Sequence, residues 1–273
     1  MSQNFDKLQV YKSKLSGEDF KRIAMYVEKE LGIKMPPHKI IMVQNRLYRR
    51  LIHLKIQDFS QYVKFIFSPQ GKSELEELAN VLTTNKTDFF RESDHFDVLR
   101  DIAAGRTDPL KIWSAACSTG EEVYSIAITL ILAGKSYYLL GSDISDSVLQ
   151  KAQEGIYPEA QAMTAPKEIL DRFFKKTVIA NRTYYKVNPA LKRNIEFKKI
   201  NLTKPKYPVP DDFDVIFLRN VLIYFNSGLQ LTVIRHVLRH LKPGGYLFLG
   251  HSESILDFSL PIERVAPSVY RKL

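Results

Sequence analysis

A loop of small residues after an apolar segment is the first feature of this chain that could hold a ligand. The apolar segment is 111–113, the loop follows at 114–120, and Glu121 and Glu122 then open a helix-like segment. Small side chains let the backbone approach a bound molecule closely, as in α/β folds that bind a cofactor where a parallel strand ends. The pattern therefore predicts a cofactor site at this strand end.

The two acids indicate which charge the ligand carries. The N-terminus of a helix usually binds anions such as pyrophosphate, and Glu121 and Glu122 would repel an anion. A ligand with ammonium and sulfonium groups, such as S-adenosylmethionine, fits better. The alternative is that the two carboxylates only complement the helix dipole.

Another acid, Asp143, ends the next strand-like segment. An acid about 20 residues after a glycine loop is placed to accept hydrogen bonds from both hydroxyls of a ribose. Its alternative role is the N-cap of the following helix, which Ser145 or Asp146 would fill better. The loop lacks a complete G-x-G-x-x-G pattern, which counts against a dinucleotide, and the chain has no G-x-x-x-x-G-K-[ST] phosphate loop.

Polar residues also follow the third and fourth strand-like segments. Asn201 and Leu202 end the third segment, where a loop would face an adenine. The fourth has an apolar middle typical of a buried strand, and Arg219, Asn220 and Tyr224 follow where it opens. Buried strands rarely end in such a polar cluster without a ligand, so we interpret these residues as part of the same site.

A polar segment at 82–92 contains two adjacent phenylalanines followed by an arginine. Phe89 and Phe90 would pin this segment to a core. The planar guanidinium of Arg91 suits bidentate binding of a carboxylate.

The elements that must position these residues change in character along the chain. Residues 1–82 show helical spacing, with a capping-box pattern at Ser16 and Asp19, and predict a small all-α domain. Residues 83–96 are expected to form a linker that contributes to the active site, and residues 97–273 an α/β domain in which strands and helices alternate. Strands are expected at 111–116, 137–142, 194–201, 213–219 and 246–250, helices at 121–132, 146–154, 166–174 and 228–241, and a final hairpin at 262–271.

One stretch of the α/β domain breaks this alternation. The strand-like segments 173–179 and 184–187 are separated by 180–183, which predicts a β-hairpin within an inserted subdomain at about 172–193. Inserted elements of this kind often bind partners, and the alternative is a surface hairpin without a function.

Composition limits the classes of protein that the chain can belong to. Its 273 residues can bury a large core, and the single cysteine, Cys117, excludes an internal disulfide. The first 16 residues lack the apolar core of a signal peptide, and the apolar stretch 123–133 is too short to cross a bilayer. We therefore expect a cytoplasmic protein without membrane insertion. His236 and His240 share a helix face without an acidic or cysteine partner nearby, so no metal site is predicted.

The charge of the chain predicts an acidic partner. The formal net charge is +10, and residues 34–64 contain seven Lys or Arg against the single acid Asp58. In this region Arg46, Arg49 and Arg50 lie on one side of a predicted helix. They would attract an acidic substrate, or they form an ordinary solvated face.

Five ordered blocks of the sequence resemble the chemotaxis receptor methyltransferases, the CheR-type enzymes. The blocks are Thr83-Thr84-Asn85-x-Thr87-x-Phe89-Phe90-Arg91, Trp113-Ser114-Ala115-Ala116-x-Ser118-Thr119-Gly120-Glu121-Glu122-x-Tyr124-Ser125, Asp143-Ile144, Arg219-Asn220-Val221-x-Ile223-Tyr224-Phe225, and Leu241-Lys242-Pro243-Gly244-Gly245 with Gly250-His251-Ser252-Glu253. The resemblance covers essentially the whole chain. It implies a Rossmann-like, S-adenosylmethionine-dependent methyltransferase domain with an inserted small β-subdomain, preceded by a small all-α domain.

The resemblance also implies an activity and the residues that carry it. The activity is methyl transfer from S-adenosylmethionine to glutamate side chains of chemoreceptors, which yields γ-methyl esters and S-adenosylhomocysteine. Catalytic roles would fall to Arg91 and Tyr224, next to the reacting carboxylate. The residues that would line the cofactor site are Asn85, Thr87, Arg91, Glu122, Asp143, Asn201, Leu202, Arg219 and Asn220.

The implied partners are receptors with acidic cytoplasmic helices, which would dock on Arg46, Arg49 and Arg50, and the enzyme is expected to act as a monomer. In some family members the β-subdomain holds a C-terminal tether peptide of the receptor by strand addition. The turn at 180–183 lacks glycine here, which is a departure that bears on tether binding.

Two other functions remain as alternatives. The basic charge would suit a nucleic-acid methyltransferase, but the chain has Arg219-Asn220-Val221-Leu222 where an amino-methylating enzyme carries D/N-P-P-Y/F. A cytosine C5 enzyme needs a cysteine nucleophile, and Cys117 lies in the cofactor loop instead. The non-enzyme alternative is a cofactor sensor or scaffold without activity, against which the presence of Arg91 and Tyr224 argues. We therefore expect no nucleic-acid partner.

Overall fold

The computed structural model describes residues 5–83, 85–255 and 259–273. Thr84, which is part of the first block of the family resemblance, lies outside the described residues. The chain divides into two compact units, of which the first contains the helices up to residue 83 and the segment Tyr224–Asn226. The second unit contains Asn85–Ile223 and Ser227–Leu273. The predicted boundaries at 82 and 96 stay predictions.

The first unit is helical in its described part, as the sequence predicts. Its helices are α1 Lys7–Lys12, α2 Gly17–Leu31, α3 Ile40–Leu54, α4 Phe59–Ile66 and α5 Lys72–Leu82, with 3₁₀ turns at Pro37–Lys39 and Pro69–Gly71. The predicted cap of α2 is confirmed, because the Asp19 N–H donates to Ser16 Oγ at 3.0 Å. Gly32 ends this helix with a φ of 71°, a conformation that costs glycine little.

The second unit alternates helices and strands. Its elements are α6 Asp94–Ala104, β1 Leu110–Ala115, α7 Glu121–Leu132, β2 Tyr137–Asp143, α8 Asp146–Glu154, β3 Ile156–Pro158, α9 Glu159–Ala162, α10 Lys167–Phe173, β4 Phe174–Ile179, β5 Arg182–Val187, α11 Pro189–Lys192, β6 Ile195–Lys199, β7 Phe213–Leu218, α12 Ser227–Arg239, β8 Leu241–Leu249, β9 Ile262–Ala266 and β10 Val269–Lys272. A 3₁₀ turn at Leu222–Tyr224 begins in this unit, and its last residue belongs to the first unit. This order confirms the predicted α/β class and its final hairpin.

The main sheet has seven strands in the order β6-β2-β1-β7-β8-β10-β9. The first five strands of this order, from β6 through β2, β1 and β7 to β8, pair in parallel with their neighbours. Strand β10 pairs antiparallel with both β8 and β9. The chain builds from β1 outward to β2 and β6, and later returns to place β7 on the other side of β1. Ligands of open α/β sheets bind beyond the carboxyl ends of the strands at such a reversal of strand order.

Buried aromatic residues hold the strands around this reversal in place. Every residue of β7 is buried, and Phe217 stacks on Phe248 of β8 with ring centroids 4.4 Å apart. The fully buried Trp113 of β1 donates from Nε1 to Ser142 Oγ of β2 at 2.9 Å. The strand ends that form the candidate site are thus anchored by the core.

Strands β3, β5 and β4 form a separate antiparallel sheet in that order. The predicted hairpin is therefore present, but its turn is shorter than expected. Strand β5 begins at Arg182, and only Ala180 and Asn181 connect the strands, with φ values of 47° and 60°. Two-residue turns with positive φ match the twist of paired strands, so the connection needs no glycine to form.

Several elements of the second unit differ from the expectations. The short elements β3, α9 and α11 were not predicted, and two further differences have a physical reason. Helix α6 was not predicted, because His95 occupies one of its buried positions next to Phe96 and Leu99 and thereby hides the apolar periodicity. Strand β8 begins at Leu241 rather than 246, although it includes Pro243 and two glycines. A register shift between Phe213 and Val215 of the neighbouring β7 accommodates this irregular start.

Among the described helices, none combines the length and the apolar character that crossing a membrane requires.

Candidate functional site

Three neighbouring strands bring four predicted cofactor-binding residues to one edge of the main sheet. Glu122 lies in the first turn of α7 after β1, Asp143 ends β2, and Arg219 and Asn220 follow β7. The register pairs Ala115 with Ser142 and therefore places the ends of β1 and β2 side by side.

The loop after β1 turns through left-handed backbone conformations. Ala116, Ser118 and Gly120 have φ values of 66°, 50° and 93°. A Cβ at Gly120 would lie 2.8 Å from the Cβ of Ala152 in α8. The small residues are thus required for a tight turn and close packing, in addition to leaving room for a ligand.

Asp143 fastens this loop to the end of β2. Its Oδ2 accepts a hydrogen bond from the Ser118 N–H at 3.0 Å, and its Oδ1 accepts one from the Ser145 N–H at 3.0 Å. Burial raises the pKa of Asp143, although these backbone hydrogen bonds oppose the shift. The N-cap of α8 is Ser145, so the alternative role considered for Asp143 is not realised.

Arg219 connects two carboxylates at the centre of the site. Its side chain is 1% exposed. Nη1 donates to Glu122 Oε2 at 3.0 Å, and Nη2 donates to Glu92 Oε2 at 2.9 Å and to the Arg91 carbonyl at 2.5 Å. Nε is buried and has no hydrogen-bond partner among the described residues.

The two acids at the start of α7 have different roles. Glu122 accepts hydrogen bonds from Arg219 and from Ser114 Oγ, and burial raises its pKa against these interactions. Glu121 is fully buried and bonded to Thr119 and Gln161. Burial raises the pKa of Glu121 to about 7. Glu121 therefore serves the packing of the loop, and Glu122 is the acid of the pair that contacts Arg219.

Glu253 holds the backbone after β7. Its carboxylate accepts hydrogen bonds from the N–H groups of Asn220, Leu222 and Gly250 at 2.7 to 2.8 Å. Asn220 has a φ of 57°, and a Cβ at Gly250 would lie 2.3 Å from Asn220 Nδ2. Sequence reasoning assigned no role to Glu253, although it belongs to the last block of the family resemblance.

Glu92 is a second residue that sequence reasoning missed. It accepts hydrogen bonds from Arg219, from Asn220 Nδ2 at 3.2 Å and from the His251 N–H at 3.2 Å. Burial would raise the pKa of Glu92, but the hydrogen bond and charge of Arg219 lower it below its ordinary value. Its position next to Arg91, a predicted site residue, was the one sequence feature that indicated a role for Glu92.

Two phenylalanines hold the segment before Glu92 against the core of the second unit. Phe89 is 2% exposed and contacts Tyr157 edge-on with ring centroids 4.9 Å apart. The Phe90 N–H donates to Ser125 Oγ at 2.9 Å. This is the pinning function that the sequence analysis gave to the pair.

The pinned segment leaves Arg91 accessible. The Arg91 side chain is 37% exposed, and Nη1 donates to the Lys86 carbonyl at 3.2 Å. Asn85 accepts a hydrogen bond from Ser118 Oγ through its carbonyl at 3.1 Å, and Thr87 is half-buried. Asn85 and Arg91 therefore lie in the same unit as Asp143 and Arg219, with Asn85 bonded directly to the loop after β1.

Asn201 and Leu202 follow β6 and lie beside the end of β2. The Ile200 N–H donates to the Asp143 carbonyl at 2.9 Å. Asn201 Oδ1 accepts hydrogen bonds from the N–H and Oγ1 of Thr203, and the buried Leu202 accepts one from the Tyr207 hydroxyl at 2.8 Å. These contacts shape the loop in which an adenine is expected.

The remaining predicted residues belong to the helical unit. The Tyr224 carbonyl accepts a hydrogen bond from the Lys34 N–H at 3.3 Å. Arg46 donates to the carbonyls of Leu82 and Thr83 at the end of α5. The catalytic role of Tyr224 stays a prediction.

The three predicted docking arginines are not equivalent. Arg50 forms a bidentate ion pair with the buried Glu74 and lies 3.5 Å from Glu77. Arg49 is exposed and lines a groove of about 710 Å³ together with Ile41, Met42, Asn45, Arg46 and Val81. The charge of Arg50 is compensated, so Arg49 carries most of the accessible charge of the three.

Comparisons with known proteins identify relatives along nearly the whole chain. The family model described as "CheR methyltransferase, SAM binding domain" matches residues 85–268, and "CheR methyltransferase, all-alpha domain" matches residues 18–83. "Chemotaxis protein methyltransferase" of Salmonella typhimurium is 41% identical and covers 90% of this chain and 88% of its own length. The protein of the same name from Escherichia coli is 41% identical, and the match covers 88% of this chain and 85% of the relative. "Chemotaxis protein methyltransferase 2" of Pseudomonas aeruginosa is 37% identical, and the match covers 93% of this chain and 92% of the relative.

Proposed function

Because this chain belongs to the CheR methyltransferase family, we propose that it methylates glutamate side chains of chemoreceptors. The methyl group comes from S-adenosylmethionine, and the product is a glutamate γ-methyl ester. The observation that carries this proposal is the cluster of Glu122, Asp143 and Arg219 at the reversal of strand order, within a chain that matches both family domains.

The residues at the strand ends fit S-adenosylmethionine. Asp143 is a buried carboxylate that accepts backbone hydrogen bonds from Ser118 and Ser145, and its remaining lone pairs suit the two ribose hydroxyls. The buried Arg219 Nε is a donor without a protein partner among the described residues, and it suits the carboxylate of an amino-acid tail. When bound, the cofactor supplies an activated methyl group on a sulfonium.

The reacting glutamate needs no general base. Its carboxylate is ionised at neutral pH, so the protein must align the carboxylate with the methyl group and exclude water. Arg91 orients the substrate carboxylate, since its guanidinium is exposed whereas that of Arg219 is buried between two glutamates. The Tyr224 hydroxyl helps to place the methyl group or the carboxylate.

The substrate docks through charge. Receptor helices with acidic character bind at the groove that Arg49 and Arg46 line, and the enzyme works as a cytoplasmic monomer. Strand β4 is at the edge of the small sheet, which supports strand addition by a receptor tether peptide as a second contact.

The experiment that tests this function uses tritiated S-adenosylmethionine and membranes that contain chemoreceptors. We expect label on a receptor-sized band that is released by base, as carboxyl methyl esters are. Asp143→Asn should reduce the labelling by at least tenfold, since it weakens the ribose contact. Asp146→Asn is the matched control. Asp146 lies three residues after Asp143, is exposed and forms an ion pair with Lys199. Label on nucleic acid, or equal labelling by both variants, would contradict the proposal.

A further inference from the structure

Two histidines and a glutamate approach one another beside the candidate cofactor site. Glu92, His95 and His251 each offer one potential metal-ligand atom, and these atoms lie within 4.8 Å of one another. His251 is 159 positions from Glu92 in the chain, so no local sequence pattern shows the cluster. The histidine pair considered from the sequence, His236 and His240, lies elsewhere, on and just after α12.

His95 is the unusual member of this cluster. It is fully buried, and neither ring nitrogen has a hydrogen-bond partner among the described residues. Its Nδ1 lies 3.7 Å from Glu92 Oε2. Leaving a buried polar group without a partner destabilises the folded protein, so a ligand at this position would relieve that penalty.

His251 provides access and orientation. Its side chain is 45% exposed, and its Nε2 lies 3.1 Å from Asp94 Oδ2. Metal-bound imidazole rings usually have such a carboxylate partner, which orients the ring and fixes its tautomer. An ion could therefore reach the cluster from solvent.

We propose that Glu92, His95 and His251 form a binding site for one zinc ion, whose occupancy weakens cofactor binding. Two imidazoles and one carboxylate are a common zinc ligand set, with a water molecule in the fourth position. Metal–ligand distances of about 2.0–2.2 Å place neighbouring ligand atoms roughly 3.3 Å apart. The 3.7 Å between His95 Nδ1 and Glu92 Oε2 needs only a small side-chain adjustment.

The link to the cofactor runs through Glu92. The same carboxylate accepts hydrogen bonds from Arg219 and Asn220, both of which are predicted cofactor-binding residues. A zinc ion on Glu92 competes with the hydrogen bonds to Arg219 and Asn220, so both residues lose a contact that positions them for the cofactor. This part of the inference rests on the proposed function.

The binding test is a titration of the full chain with Zn²⁺ in competition with a chromophoric chelator. We expect one ion per chain with a Kd in the micromolar range or below. His251→Ala, which removes an exposed ring, and Glu92→Gln should each weaken binding at least tenfold. His53→Ala, which removes an exposed histidine of α3, is the matched control and should leave binding unchanged. Absence of saturable binding, or equal affinity in His251→Ala, would overturn the zinc site.

The coupling test is a calorimetric titration with S-adenosylhomocysteine, with and without a saturating amount of Zn²⁺. We expect the affinity to fall several-fold in the presence of zinc, and this loss should disappear in His251→Ala. Zinc binding without a change in this affinity would overturn the coupling. A chain that binds zinc but does not take up S-adenosylhomocysteine at all would instead contradict the proposed function.

Discussion

At the scale of single residues, Arg219 is the point at which the charges of the candidate site are balanced. Its buried guanidinium contacts Glu92 and Glu122, and each carboxylate has a further donor, Asn220 or Ser114. The second arginine of the cluster, Arg91, lies 4.0 Å from Glu92 Oε1, but its side chain is 37% exposed and can therefore reach a substrate.

This division of roles predicts the effect of removing the Arg91 side chain. Arg91→Ala should lower the rate of receptor methylation by at least about a hundredfold, since an oriented carboxylate is lost, while the affinity for S-adenosylhomocysteine changes much less. The two quantities are measured by label transfer and by calorimetry. Arg100→Ala, at an exposed arginine paired with Asp97, is the control and should keep the full rate. A normal rate in Arg91→Ala would remove Arg91 from the mechanism.

Glu121 predicts a pH dependence of stability. Its pKa is raised to about 7 in the folded protein, whereas the unfolded chain releases this proton at an ordinary pH. Between about pH 4.5 and 7 Glu121 therefore holds more of its proton in the folded state than in the unfolded state, and its contribution to stability falls as the pH rises.

Glu121→Gln removes the titrating carboxyl group and should abolish this loss. The stability of the variant relative to the parent should therefore rise by up to about 3 kcal/mol between pH 5 and pH 8. Urea unfolding at both pH values measures the difference. Glu18→Gln, at an exposed glutamate of α2, is the control for removing a carboxylate at the surface. If the difference in unfolding free energy between Glu121→Gln and the parent were the same at both pH values, the raised pKa of Glu121 would not explain the pH dependence.

At the scale of elements, the ends of the strands carry the candidate site and their interiors only anchor it. The order of strand and helix, the cap at Ser16 and the polar residues after each strand were readable from the sequence. The contacts made by Glu92 and Glu253 were not, because their partners are distant in the chain and depend on left-handed backbone at Glu92 and Asn220.

The hairpin of the small sheet gives a prediction at this scale. Ala180 has a φ of 47°, a conformation in which an alanine pays a steric penalty that glycine does not. Ala180→Gly should therefore stabilise the protein by roughly 1 kcal/mol, which a rise in Tm would show. Ala160→Gly is the matched control, because the same change within α9 should destabilise the protein. A lower Tm for Ala180→Gly would mean that the turn has another conformation.

At the scale of the whole molecule, the excess of positive charge is partly used inside the fold. In α3, Arg50 forms an ion pair with Glu74, and Arg46 donates a hydrogen bond to the Leu82 carbonyl at the end of α5. The buried Asp214 forms ion pairs with Arg106 and Lys242. Sequence composition alone therefore overstates the charge that a partner meets.

The docking proposal predicts a salt-dependent effect at Arg49. Arg49→Glu should slow receptor methylation several-fold at low salt, and the effect should shrink at high salt because the Debye length falls from about 10 Å at 0.1 M to 3 Å at 1 M. Initial rates at both salt concentrations measure this. Lys21→Glu, a charge reversal at an exposed residue of α2, controls for net charge. Equal rates for the two variants at low salt would contradict docking at Arg49.

The sequence by itself determined the class of fold, the family and the strand ends at which a cofactor binds, because periodicity, caps and short motifs are local properties. Tertiary structure decided which charged groups remain free for a ligand. Glu121 is buried and accepts a hydrogen bond from Thr119, and Arg50 forms an ion pair with Glu74. Glu92 lies close to His95 and His251. Such pairings depend on burial and on distances between residues far apart in the chain, and no local pattern encodes them.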